Sequence, residues 1–227
     1  MSEEIPSGMV AQSLDRQIGL AQSKWQLIFK RMLDLLIAIP VFVFLLPFFV
    51  LAALLIRVES PGPVFYTDRR LGKNGKVFTC IKFRTMFVDN DATLAAHLEA
   101  NSTARQCWQL YRKLPDDPRV TRLGRLLRKF TIDEFPQVIN IIRGEMSIVG
   151  PRPFMIREVP DIGPHLSELL TMRPGMAGMW IAYGRNRLTF EERVSLDLKY
   201  VREWSLKLDA SLFFKSLVAL LIARGAH

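Results

Sequence analysis

The apolar and polar positions divide the chain into one long uncharged run followed by short alternating and helical segments. Residues 35–56 carry no charge, and as a straight helix they reach about 33 Å, enough to cross a bilayer. Pro40 and Pro47 lie inside the run. Each removes a backbone donor and clashes with the preceding turn, so a kink is expected at one or both. Both flanks are basic, with Lys24, Lys30 and Arg31 before the run and Arg57, Arg69, Arg70 and Lys73 after it. Cytoplasmic flanks of membrane segments hold the excess of Lys and Arg. A helix broken at Pro47, with Pro40 sharing the bend, returns both flanks to one face, and this re-entrant arrangement is preferred to a straight span. Asp34, beside the basic cluster, is expected to pair with a neighbouring lysine or arginine at the interface.

Beyond the run the periods shorten. Val64-Phe-Tyr-Thr67 and Lys76-Val-Phe-Thr-Cys-Ile81 are strand-like, and Gly72-Lys-Asn-Gly75 between them holds an Asn-Gly turn, which predicts a hairpin. Lys82-Phe-Arg-Thr-Met86 follows as a strand end carrying two cations. Residues 89–113 are expected to be helical and polar, stopped by Leu114-Pro-Asp-Asp-Pro118. Residues 123–129 form a basic amphipathic stretch, and 138–142 an apolar helix ended by Arg143-Gly144. Further helices are expected over 190–200 and 208–224. In the last, Leu212, Phe213, Leu217, Leu220 and Leu221 make an apolar face suited to core packing or to a membrane interface. The expected fold is α+β: mainly helical with a small β-hairpin, an N-terminal re-entrant membrane helix and interfacial amphipathic helices. Residues 1–23 read as a flexible lead-in, 24–59 as the membrane helix and 60–227 as a cytosolic catalytic domain.

Composition narrows the function. A chain of 227 residues holds one catalytic unit and an accessory segment. The net charge of +9 suits an anionic partner, for which nucleic acid, acidic headgroups and a nucleotide diphosphate all qualify. Nucleic acid fits poorly, because no recognition-helix motif is present and the aromatics concentrate in apolar runs. Cys80 and Cys107 lack CxxC spacing and only three histidines accompany them, so neither a zinc site nor a disulfide framework is expected. The polar start of the chain has no signal-peptide pattern.

The chemistry concentrates in Arg128-Lys-Phe-Thr-Ile-Asp-Glu-Phe-Pro-Gln137 and Arg143-Gly-Glu-Met-Ser-Ile-Val-Gly-Pro-Arg-Pro153. Pro136 is tolerated in the first turn of a helix, which places a helix start near Asp133. There the dipole keeps an acid ionised and attracts phosphate. Consecutive helical residues point about 100° apart, so Asp133 and Glu134 take different tasks. One division makes one a nucleophile and the other a Mg²⁺ ligand; the simpler alternative is an N-cap and a dipole partner. Arg128, Arg143 and Arg152 around them favour a site that holds additional anions.

The ordered blocks Lys30-Arg-Met-Leu-Asp34, Ser60-Pro-Gly-Pro-Val-Phe65, Lys82-Phe-Arg-Thr-Met86, Asp117-Pro-Arg-Val120, Asp133-Glu134, Val149-Gly-Pro-Arg-Pro153, Arg173-Pro-Gly175 and Gly184-Arg-Asn186 together resemble the bacterial sugar transferase family. These are the monotopic polyprenyl-phosphate phosphoglycosyl transferases, here in a short exopolysaccharide-type form. The resemblance implies that Asp133 attacks a UDP-sugar, releasing UMP and forming a covalent aspartyl-phosphosugar, that Glu134 holds Mg²⁺, and that the phosphosugar passes to undecaprenyl phosphate. It implies phosphate-binding roles for Lys82, Arg128 and Arg152, with Arg84 in the same block, and nucleotide or sugar contacts for Arg185 and Asn186. Asp197 matches another acidic position, with a helix-surface salt bridge as the alternative. Galactose or glucose is the implied sugar, the cytoplasmic face of the bacterial inner membrane the implied location, and membrane lipids the surroundings. No nucleic acid is implied, and a homodimer is left open. The family's helix usually breaks at Ser-Pro, where this chain has Leu46-Pro47, and Ile181 and Tyr183 stand where polar residues are usual. The competing reading is a basic, membrane-anchored binding or scaffold protein for acidic lipids.

Overall fold

The computed structural model describes residues 24–88, 90–111, 114, 117–184 and 188–222. Its elements are α1 (Lys24–Glu59), β1 (Phe65–Leu71), β2 (Val77–Phe83), α2 (Asp91–Ala100), α3 (Ser102–Tyr111), α4 (Arg122–Lys129), α5 (Gln137–Arg143), β3 (Ser147–Val149), α6 (Val159–Ile162), α7 (Leu166–Leu169), β4 (Gly175–Ala177), α8 (Met179–Tyr183), α9 (Phe190–Glu203) and α10 (Leu206–Ile222). The fold is α+β and mainly helical, as expected. The chain forms two compact units: one of residues up to 44, 67–81 and 137 onward, the other of residues 45–66 and 82–136. This division falls within α1, between Phe44 and Leu45.

Helix α1 runs 36 residues, and its helical assignment continues through Pro40 and Pro47. No gap in helical structure marks the expected break at Pro47; a proline removes one backbone bond, which a long membrane helix tolerates. The buried positions are Lys30, Asp34 and Ala38, then Phe49, Ala52 and Ile56. At about 100° per residue the first three share one sector of the helix surface, and so do the last three among themselves. None of residues 39–48, which include both prolines, is buried, and only Phe42 and Leu45 are half-buried. Elsewhere α1 leaves Phe44 70% and Val58 84% exposed, a continuous apolar surface that water does not tolerate on this scale. It is long and apolar enough to cross a membrane.

In the first unit, β3 and β4 pair in parallel, Ser147 with Gly175 and Val149 with Ala177. This second sheet is not legible in the sequence, because three-residue strands show no alternation. Val149, Met172, Met179, Tyr200, Val201, Trp204 and Leu212 form the core beside it. Lys30 and Asp34, one turn apart on α1, anchor that helix here. Lys30 Nζ donates to Val149 O at 2.8 Å and to Asp209 Oδ2 at 2.6 Å. Asp209 also accepts from the Tyr200 hydroxyl at 2.7 Å and from Trp204 Nε1 at 3.1 Å. Asp34 takes no lysine or arginine in these bonds; it accepts from Ser147 Oγ and from Ile148 N, the latter at 3.0 Å. Its burial explains the change, since a buried carboxylate needs several donors and strand β3 offers them at fixed positions. Burial and the Asp209 carboxylate push the Tyr200 hydroxyl well above its usual range. Along α9, the Thr189 hydroxyl and Glu192 carboxylate form a reciprocal cap that starts the helix. On α10 the apolar face is shared: Leu212 is buried, while Phe214, Leu217 and Val218 are exposed. The Leu220 and Leu221 side chains lie outside the described ones.

Asn74 and Gly75 both have positive φ, as the Asn-Gly turn predicts. In the second unit, Phe83 at the end of β2 packs edge-on against Phe49 of α1 at 5.3 Å and stacks on Phe65 of β1 at 5.5 Å. Polar residues 91–111 form two helices parted at Asn101, whose side chain caps the second by accepting from Ala104 N at 3.0 Å.

Candidate active site

The carboxylates are placed by the two-turn helix α4 and the tight turn after it. Thr121 caps α4, its hydroxyl accepting from Gly124 N at 2.8 Å. Gly124 lets α4 lie directly on the chain after β2, because a Cβ there would sit 2.1 Å from Thr85 O. Thr131 has φ 59 and reverses the chain, and Ile132–Glu134 then form a 3-10 turn. The α-helix begins at Gln137, not near Asp133 as expected. Pro136 immediately precedes that helix instead of lying inside its first turn.

Glu134 Oε1 accepts from Lys82 Nζ at 2.5 Å. Arg128, in the last turn of α4, donates from Nε to Thr85 Oγ1 at 2.9 Å. Asp133 lies between these charges, yet its carboxyl is pushed up to about 6. Burial is the main cause and the neighbouring Glu134 carboxylate the second, while Lys82 and Arg128 oppose them. The donors of the 3-10 turn therefore do not hold this acid low, because loss of water outweighs them. Burial pushes Arg128 down, and the Asp133 and Asp117 carboxylates push it back up. Asp117 grips Arg119 through three side-chain bonds, the shortest 2.6 Å, and Arg119 lies over the Trp108 ring at 5.2 Å.

Asp133, Glu134, Lys82 and Arg128 thus come together within one unit. Arg84, expected with the phosphate cations, is buried, and its guanidinium donates to the carbonyls of Ser60 and of Pro61. Arg152 and Asp197 belong to the other unit, where Asp197 Oδ2 accepts from Arg152 N at 3.0 Å and Arg152 Nη2 reaches Glu158 at 3.2 Å. Asp197 is fully buried rather than on a helix surface, and burial pushes its carboxyl up to about 7 against the pull of Arg152 and Arg193. Arg185 and Asn186 lie outside the described residues. Thr85 and Glu59, which contact the two ends of α4, are not among the residues expected from the sequence. Glu59 had a signal, an acid two residues after Arg57 at the end of the uncharged run; Thr85 had none.

Among the described residues no group of three or more His, Cys, Asp or Glu converges as a metal cage. Mg²⁺ does not require one, since one or two carboxylates complemented by substrate phosphates and water form its usual shell. The adjacent Asp133 and Glu134 fit that donor set.

The bacterial sugar transferase family model matches residues 25–223. The exopolysaccharide production protein ExoY of Sinorhizobium fredii is 44% identical over 198 residues, covering 87% of this chain and 88% of that protein. The undecaprenyl-phosphate galactose phosphotransferase of Salmonella typhimurium is 39% identical over 166 residues, 73% of this chain and 35% of that longer protein. The undecaprenyl-phosphate glucose phosphotransferase of Komagataeibacter xylinus is 36% identical over 217 residues, 90% of this chain and 38% of that protein. With the match extending from the start of α1 through α10 and taking in both carboxylates, the chain belongs to the bacterial sugar transferase family.

Proposed function

We propose that this enzyme is a sugar-phosphate transferase of exopolysaccharide synthesis that moves a hexose-1-phosphate from a UDP-sugar to undecaprenyl phosphate. The observation that carries the reading is Asp133, partly buried beside Glu134 and between the cations Lys82 and Arg128. A carboxyl near 6 is mostly ionised at neutral pH and more basic than a solvated aspartate, which suits a nucleophile. Its oxygen forms a bond to the phosphorus that bears the sugar; the bond from that phosphorus to the bridging oxygen breaks, and UMP leaves with the electron pair. A phosphate oxygen of undecaprenyl phosphate then attacks the same phosphorus, giving the lipid diphosphate sugar and restoring Asp133. Lys82 and Arg128 supply fixed positive charge to the phosphoryl oxygens, where preorganised charge is most effective. Glu134 would hold Mg²⁺, which supplies charge neutralisation at the diphosphate.

The relatives' names favour galactose or glucose. The basic flanks of α1 support a re-entrant, monotopic placement on the cytoplasmic face. Purified protein given UDP-galactose or UDP-glucose and Mg²⁺ without lipid should release up to about one equivalent of UMP, as a single covalent turnover requires, and gain the mass of a hexose phosphate. Release of UMP only after undecaprenyl phosphate is added would instead indicate direct transfer.

A further inference from the structure

The lipid acceptor lies at a height set by the headgroup plane, whereas the UDP-sugar diffuses freely. An enzyme joining the two has to hold its nucleophile at a fixed distance from the bilayer. In the second unit one short chain of contacts leads from the end of α1 to Asp133. Glu59, the last residue of α1, turns its carboxylate onto the N-terminus of α4: Oε1 accepts from Arg122 N at 2.8 Å, and both oxygens lie 3.1–3.2 Å from Leu123 N. These are the first two amides of α4, which no intrahelical carbonyl can satisfy. The eight residues of α4 span about 12 Å, and their far end carries Arg128 and the turn holding Asp133.

The exit from α1 is itself fixed. Buried Arg84 donates to the carbonyls of Ser60 and Pro61, satisfying acceptors just past the helix end. Gly62 makes the room: its φ is +130, and a Cβ there would sit 2.3 Å from Arg84 Nη1. Arg84 N also donates to Val64 O at 2.9 Å. The next residue, Thr85, holds α4 from the other side by accepting from Thr121 N at 3.0 Å and from Arg128 Nε at 2.9 Å.

We infer that Glu59 is a positioning residue for the lipid half of the reaction: it links the membrane helix to α4 and so fixes the height of Asp133 above the headgroups, with the Arg84–Gly62 elbow holding Glu59 in place. The inference rests on the two-step reading above. Without Glu59 the contacts from Thr85 still organise Asp133, Lys82 and Arg128, so attack on the soluble donor persists while delivery to the lipid suffers.

The test measures the two half-reactions separately on the full chain in lipid nanodiscs. Glu59→Ala should keep the lipid-independent UMP burst within about twofold and lower transfer to undecaprenyl phosphate by about tenfold or more, the order seen when positioning groups are lost. Glu59→Gln, which keeps an acceptor oxygen, should recover at least half of the transfer. Equal loss of both half-reactions, or loss of neither, would overturn the inference. If Glu59→Ala does not fold, Glu59→Asp, whose shorter side chain draws the carboxylate back from Arg122 N and Leu123 N, replaces it: a transfer-to-burst ratio unchanged from wild type rejects the inference, and a lowered ratio supports it. If the wild-type protein gives no burst, the covalent reading fails instead. The Michaelis constants then decide: a rise for undecaprenyl phosphate alone supports the role of Glu59, and parallel changes for both substrates reject it.

Discussion

At the scale of single residues, Asp133 and Glu134 are neighbours with unlike surroundings. Glu134 has a close lysine partner, whereas the surroundings of Asp133 raise its carboxyl to about 6. Asp133→Asn removes the attacking oxygen's charge and should lower turnover about 10³-fold or more, equivalent to roughly 4 kcal/mol of barrier, with thermal melting in detergent nearly unchanged. Glu134→Gln should also be severe, and its remaining activity should need more Mg²⁺. Titrating Mg²⁺ for both variants separates the roles, and an Asp133→Asn variant retaining more than a few per cent of activity would reverse or remove them. The pair was legible in the sequence because two acids among arginines beside Pro136 are chemically conspicuous. The partner of Arg84 was not. Two backbone carbonyls 23 and 24 residues away in the chain leave no trace in side-chain spacing, and a buried arginine beside a lysine reads like a second phosphate ligand.

At the scale of elements, α1 was the easiest to foresee and α4 the most consequential. A run without charge announces a membrane helix, and its basic flanks suggest which side the ends occupy. Cysteines introduced at Trp25 and at Lys76, in a background of Cys80→Ala and Cys107→Ala, should both resist an impermeant maleimide added to intact cells. Replacing Pro40 and Pro47 together by leucine should restore a straighter apolar helix and give mixed labelling, partly opposed by the basic flanks. Labelling of either site from outside with both prolines present would establish a spanning helix. By contrast, the basic stretch around residue 125 showed only amphipathicity. That its first amides meet Glu59 and its last turn meets Thr85 depends on how the chain returns from the end of α1, which no local pattern encodes.

At the scale of the whole molecule, stability should carry the signature of Asp197. Its carboxyl titrates at about 7 when folded, against an ordinary value of 3.8, so between these limits the folded protein holds a proton that the unfolded chain releases. Stability from this group is greatest below about pH 4, declines as pH rises towards 7, and is constant above that. Asp197→Asn keeps an acceptor for Arg152 N without the charge, and its melting temperature relative to wild type should rise by several degrees between pH 5 and pH 8, as a change of a few kcal/mol implies for a domain of this size. A difference independent of pH would mean that Asp197 is ionised when folded. Sequence alone determined the long apolar helix, the Asn-Gly turn, the main helices and the family, because charge-free length, Asn-Gly chemistry, helical period and ordered motifs are all local. Tertiary structure decided the rest: burial, which raises Asp133 and Asp197 despite neighbouring cations; the pairing of β3 with β4; the donors that Asp34 accepts; and the turning of Arg84 and Glu59 onto backbone groups. Each of these depends on which distant segment removes water and offers a partner, and that is a property of packing rather than of residue order.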